Sequence, residues 1–248
     1  MHYIRPSDFV RFGIKRLLQM PFNTGQTRAA IAWLFGYTAH LVADYTIHPI
    51  VAARVGPYSN KKNRANHRRC EFDEDAYIFF KLTGDEVLNT DFLEFTGLAE
   101  CSVGGNTHKL NTTIIDFWKS CLQEYPHAKT REFVRLPAMS LTPNIWYATY
   151  VNVMENFATK DSAFVLWLGC AYKKAVDVEP SYIENLVVPG SSKTIGYAEL
   201  FEKTRQNRLQ AWTGIARALK EENVALFDLR NGNLDTGQDE AGKYLFWD

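Results

Sequence analysis

The stretch His40-Leu41-Val42-Ala43-Asp44-Tyr45-Thr46-Ile47-His48, followed by His67-Arg68-Arg69-Cys70-Glu71-Phe72-Asp73-Glu74-Asp75, decides how this chain is read. Each segment repeats a histidine or carboxylate every four residues, as His40-Asp44-His48 and His67-Glu71-Asp75. At about 100° per residue, an i, i+4, i+8 series covers only about 80° of helix surface, so each ladder presents its donors on one face. Two such faces turned together form a cage for one or more cations. Neutral imidazole plus carboxylate, without thiolate, is the donor mix of zinc sites that keep a position open for water or substrate. A histidine–carboxylate hydrogen-bond network is the structural alternative. Asp44 lies beside Leu41, Val42 and Ile47, however, where an unpaired charge is costly to bury and a cation removes that cost.

Working outward, the flanking sequence is helical in both directions. A helix capped by Ser7 or Asp8 is expected to run to about Gln19, with Phe9, Phe12, Ile14, Leu17 and Leu18 on its apolar side. Pro21, Asn23 and Gly25 mark a loop. From Gln26 to about Ile47 the sequence is apolar on nearly every side, as in a central helix, and Pro49 is expected to end or kink it. Gly56-Pro57-Tyr58-Ser59-Asn60 reads as a turn, and a second ladder-bearing helix follows over roughly 64–83. Further helical patterns cover about 109–124, 140–157, 162–175 and 194–221. Val187 to Ser192 is the best linker candidate. The expected organisation is therefore an all-α, single multi-helix domain, with a metal-binding core over residues 1–186 and a C-terminal helix and tail over 187–248, ending in Tyr244-Leu245-Phe246-Trp247, packed on the same domain.

Composition narrows the function classes. With 28 Lys and Arg against 28 Asp and Glu, the chain of 248 residues has no net field to attract a polyanion, which disfavours nucleic acid. No apolar run reaches the length of a membrane span and no signal peptide is evident, so as written the chain is expected to be soluble and cytoplasmic. Cys70, Cys101, Cys121 and Cys170 are widely spaced and read as reduced thiols. Cys70, inside the second ladder, reads as a small packing residue rather than a soft ligand.

Taken together, Gly36-Tyr37-Thr38-Ala39-His40-Leu41-Val42-Ala43-Asp44-Tyr45-Thr46-Ile47-His48-Pro49, Val55-Gly56-Pro57-Tyr58, His67-Arg68-Arg69-Cys70-Glu71 and Asp75-Ala76-Tyr77 resemble the core of the bacterial zinc-dependent phospholipase C family. That family is distantly related to the S1/P1 nucleases. The resemblance covers roughly residues 26–80. It implies an all-helical fold of the phospholipase C / P1 nuclease type, one to three zinc ions, and hydrolysis of phosphate esters. Carried over by position, His40 binds the first zinc, Asp44 bridges two metals, and His48, His67 and Glu71 complete the second site. Asp75 lies behind the ligands. The family's further ligands lie upstream; His2 is the one candidate here for the last of them, a histidine, and the others have no counterpart. Either the chain is a shortened form of a longer protein, or it has dispensed with part of the cluster.

The chemistry that follows is metal-assisted. Zinc lowers the pKa of a bound water from about 15.7 toward about 7, and a metal pair can hold attacking and phosphoryl oxygens together. Asp44 and Glu71 are the carboxylates expected to act at that centre. Lys61, Lys62, Arg64, Arg68 and Arg69 form a basic cluster beside it. The Arg68/Arg69 pair reads more readily as water-facing than as a phosphate clamp, since the in-phase face belongs to His67 and Glu71. Tyr37, Tyr45, Tyr58 and Tyr77 read as packing, with a cation–π pocket for a quaternary ammonium head group as the functional alternative. His108 and His127 read as surface residues. The expected substrate is a phospholipid, with peripheral membrane contact possible. The competing readings are a nuclease-like phosphodiesterase and a non-catalytic helical protein with a structural zinc.

Overall fold

The computed structural model describes residues 5–90, 98–104, 106–124, 142–158 and 172–247. In chain order the helices among these residues are α1 (Pro6–Leu18), α2 (Gly25–Val55), α3 (Arg64–Thr83), α4 (Thr112–Glu124), α5 (Pro143–Ala158), α6 (Pro180–Ile183) and α7 (Tyr197–Lys220). Two short antiparallel strand pairs, β1 (Ser102–Val103) with β2 (Asn106–Leu110) and β3 (Leu186–Val187) with β4 (Thr194–Ile195), decorate this all-α framework. Among the described residues, no helix is long and apolar enough to cross a membrane.

The architecture is organised around α2. Its sequence is apolar all round, so it must be surrounded: α1, α3, α4 and α7 all pack on it. Leu34, Leu41, Val42 and Tyr45 of α2 meet Phe9, Val10 and Ile14 of α1, Phe117 and Cys121 of α4, Ile215 and Ala218 of α7, and Phe227, Leu229 and Leu234 of the tail. Full burial of each aliphatic side chain in such a core contributes roughly 1.5–3 kcal/mol. Gly13 lets α1 come close, because a Cβ there would stand 2.6 Å from Leu34 Cδ1. The start of α2 is fixed by Thr24, whose hydroxyl accepts from Thr27 N at 3.1 Å.

Two local expectations are corrected by contacts that reach across the chain. Helix α1 starts at Pro6, one residue before the expected caps, and its first free amides are satisfied from the far end of the sequence. Ser7 N and Asp8 N donate to Asn231 Oδ1 at 2.9 and 3.2 Å, while Asn231 Nδ2 donates to Asp8 Oδ1 at 3.0 Å. Pro49 likewise does not end α2, which continues to Val55. A proline there leaves Tyr45 O without its helical donor and weakens the adjoining turn. The tail covers that turn: Trp247 Nε1 donates to Thr46 O at 2.9 Å, and Gly237 packs so tightly that a Cβ would lie 2.5 Å from Tyr45 O.

The segment from Val187 to Ser192, expected as a linker, forms the hairpin of β3 and β4, with Leu186 opposite Ile195 and Val187 opposite Thr194. Leu186 and Ile195 pack with Ile50 of α2, Ile78 of α3, Tyr197 and Leu200 of α7, and Trp247. The helix expected over 109–124 begins at Thr112, after Asn111, whose Oδ1 accepts from Thr113 N at 2.9 Å. Most of the helix expected at 162–175 lies outside the described residues.

Candidate metal centre

Helices α2 and α3 turn their ladders toward each other. One ring nitrogen of His48, one of His67 and a carboxylate oxygen of Glu71 lie within 4.8 Å of one another. His67 Nε2 stands 3.3 Å and His48 Nε2 3.5 Å from Glu71 Oε1. The two imidazoles meet edge to face at 5.2 Å between centroids. Asp44 extends the set along α2, 3.7 Å from His48 Nε2 and 3.3 Å from His40 Nε2. The cluster thus runs as a chain of donors, His40, Asp44, His48, Glu71, His67, with the tight trio at one end. Burial is uneven along it: the His40 side chain is 56% exposed, Asp44 9%, His48 16%, Glu71 39% and His67 2%.

The surroundings orient these groups. His48 Nδ1 lies 2.9 Å from Leu234 O, and because a carbonyl only accepts, Nδ1 donates to it and Nε2 is the nitrogen that faces the cluster, free to bind a cation once it gives up its proton. A second hydrogen bond of this kind is how metal-ligating histidines are held in the right tautomer. The Tyr58 ring stands edge-on to His67 at 4.9 Å, and is itself held by the Arg64 guanidinium 5.3 Å above it. His67 Nδ1 is buried without a hydrogen-bond partner among the described residues. The residues present therefore suit a zinc ion, which takes nitrogen and oxygen donors at a site with room for a further ligand.

Electrostatics in the metal-free chain follow from the same contacts. Burial acts to lower the His48 pKa, but the Glu71 hydrogen bond and the Asp44 and Glu71 charges outweigh it and raise it to about 9. Burial acts to raise Glu71, and its bonds to His48 and His67 override that and hold it at about 2. The raised histidine stabilises the metal-free fold fully below its unfolded value near 6.5, and that contribution is lost as pH rises through about 9. A proton and a cation compete for the same Nε2. Zinc binding to the metal-free chain at pH 7.5 is therefore expected to release close to one proton from His48, and affinity is expected to strengthen about tenfold per pH unit up to about 9. Calorimetry in buffers of different ionisation enthalpy checks this. A zinc affinity flat from pH 6.5 to 8.5 would show that the metal-free His48 is not held protonated by Asp44 and Glu71.

The other residues singled out from sequence fall outside the trio. Asp75 accepts from Tyr172 Oη at 3.4 Å. Cys70 is buried and donates to Glu74 Oε1 at 3.5 Å, away from the His48, His67 and Glu71 trio; burial, then Glu74, pushes its thiol up. Cys101 and Cys121 are free thiols, as is Cys70. His108 lies in β2, and His2, His127 and Cys170 lie outside the described residues. Two contributors carry no mark in the local pattern: the Leu234 carbonyl, and Arg208 of α7. Arg208 Nε donates to Ala39 O at 3.2 Å, and its charge acts on Asp44.

No curated protein and no solved structure matches the chain. A family model does: that of zinc-dependent phospholipase C matches residues 1–129, which include every member of the two ladders. With just over half of its length matched and its converging donors inside that half, the chain belongs to the zinc-dependent phospholipase C family.

Proposed function

We propose that this protein is a zinc-dependent phosphodiesterase that hydrolyses the phosphate ester of a phospholipid on the glycerol side, releasing the phosphorylated head group. The observation that carries this reading is the convergence of His48, His67 and Glu71 within 4.8 Å, with His48 locked by Leu234 O. These three would hold one ion, and His40 and Asp44 a neighbouring one, with Asp44 placed between His40 and His48 to serve both. Zinc bound there supplies positive charge that polarises a phosphoryl oxygen and acidifies water.

The chain's own residues contribute orientation and exclusion of solvent. Asp44 and Glu71 fix the imidazoles by direct contact and offer carboxylate oxygens to accept a proton from an attacking water. His67, packed against the half-buried Tyr58, is shielded from solvent, whereas Glu71 at 39% and His40 at 56% exposure are accessible to a substrate. Three protein donors with one side open is the pattern of catalytic rather than fully ligated structural sites. A nucleic-acid substrate is disfavoured by the balanced charge of 28 basic and 28 acidic residues.

The test is metal counting combined with turnover. The purified chain is expected to contain zinc by mass spectrometry and to hydrolyse a short-chain phosphatidylcholine, to lose that activity on chelation, and to recover it when zinc is restored. A chain holding one zinc that resists chelation, with no hydrolysis of phospholipid or of a simple phosphodiester, would instead identify a structural site.

A further inference from the structure

Arg68 and Arg69 are adjacent in sequence but not in role. At about 100° per residue, Arg68 sits about 60° from Glu71 around α3, on the flank of the ladder, whereas Arg69 sits about 160° away, on the far side. Burial follows the same division: Arg69 is exposed and Arg68 is half-buried. The Arg68 Nε is enclosed and has no hydrogen-bond partner, and no carboxylate among the described residues forms an ion pair with this guanidinium.

Enclosing a guanidinium nitrogen without an acceptor is costly for a group that always carries charge. The acids nearest in sequence are engaged elsewhere: Glu71 with His48 and His67, Asp73 with Lys173 at 2.8 Å, Asp75 with Tyr172. Arg64, one turn earlier, is occupied at Tyr58, donating from Nε to Tyr58 O at 3.2 Å. Arg68 is thus a cation beside the metal-type trio with its planar fork uncommitted. A guanidinium binds two oxygens of one phosphoryl group at once, which a lysine cannot do.

We infer that Arg68 is a phosphate-binding residue of this site, holding non-bridging oxygens of the substrate phosphoryl group beside the His48, His67 and Glu71 cluster. It makes the phosphoryl group, rather than the head group or acyl chains, the part of the substrate gripped by α3. The inference rests on the phosphodiesterase reading, and its test separates the two.

Inorganic phosphate serves as the probe, titrated calorimetrically into wild type, Arg68→Gln, Arg68→Lys and Arg69→Gln, with zinc content and circular dichroism measured on each sample. Arg68→Gln is expected to weaken phosphate binding by roughly tenfold to a hundredfold, the loss typical of a charge-assisted pair, with zinc content unchanged. Arg68→Lys is expected to recover part of that loss, and Arg69→Gln to behave as wild type. Wild-type phosphate affinity in a folded Arg68→Gln, or in Arg68→Lys should the former not fold, overturns the assignment, as does a wild-type chain that binds no phosphate. A wild-type chain that binds phosphate through Arg68 but holds no zinc would sink the phosphodiesterase reading and leave this assignment standing.

Discussion

His67→Ala is expected to remove most of the zinc from the purified chain and to abolish phosphodiester hydrolysis, with zinc affinity falling more than about a hundredfold. Loss of a group that merely orients a ligand already costs about 10- to 100-fold, and His67 is a donor in the trio itself. The variant also damages the metal-free protein. Its ring is 2% exposed, packed against Tyr58 and His48, so alanine leaves a cavity and unfolds more easily by about 1–3 kcal/mol. Glu71 loses one of the two partners that hold it near 2, so its carboxyl pKa rises. A depressed carboxyl stabilises the fold above its unfolded value and loses that effect as pH falls through the folded one; the variant's acid transition therefore moves to higher pH. His40→Ala is the contrast: its side chain is 56% exposed, and the stability change is expected to stay within about 0.5 kcal/mol even where activity falls. Zinc counting by mass spectrometry and pH-dependent urea melts measure both. Full zinc content in His67→Ala would remove His67 from the metal site.

The part of the fold that local pattern can specify was readable. Unbroken apolar character marks α2 as central, and the fourfold spacing puts three donors on one face of α2 and three on one face of α3; the grouping of His48 with His67 and Glu71 is what the family resemblance implies rather than what spacing dictates. What could not be read are contacts between residues far apart in the chain. Asn231 caps a helix 224 positions away, so Ser7 and Asp8, suitable as caps by type, lie within the first turn instead. Pro49 is a helix breaker by its own chemistry, yet α2 continues through it under the tail, where Trp247 donates to Thr46 O and Gly237 packs against Tyr45 O and the proline ring. The Leu234 carbonyl that orients His48 belongs to the backbone and has no signature in side-chain pattern. Arg68 is a different case. Its position on the ladder's flank follows from helical phase alone, but only the structure shows that no acid has claimed it.

Gly237→Ala is expected to be the most disruptive single-methyl change outside the cluster, because one residue supports both the proline turn and the histidine. Its φ of 66° is a left-handed conformation that costs an alanine about 1 kcal/mol. The added Cβ would also lie 2.5 Å from Tyr45 O and 2.5 Å from Pro49 Cγ, atoms of a buried helix that cannot turn aside as a flexible side chain would. Overpacking of that kind costs about 1–3 kcal/mol, so a total loss of about 2–4 kcal/mol is expected in urea unfolding. The backbone cannot move off without consequence. Gly237 N donates to Asn233 O at 2.8 Å and Gly237 O accepts from Leu245 N at 2.9 Å, so the loop that carries Leu234 moves with it. If Leu234 O is drawn away from His48 Nδ1, the imidazole loses the contact that sets its tautomer, and zinc affinity should drop about 10- to 100-fold with every proposed ligand still present. Unfolding and zinc titration on the same variant separate the two effects. Lost stability with unchanged zinc affinity would show that His48 keeps its orientation without Leu234, and unchanged stability would mean that the tail does not press on α2 at Pro49.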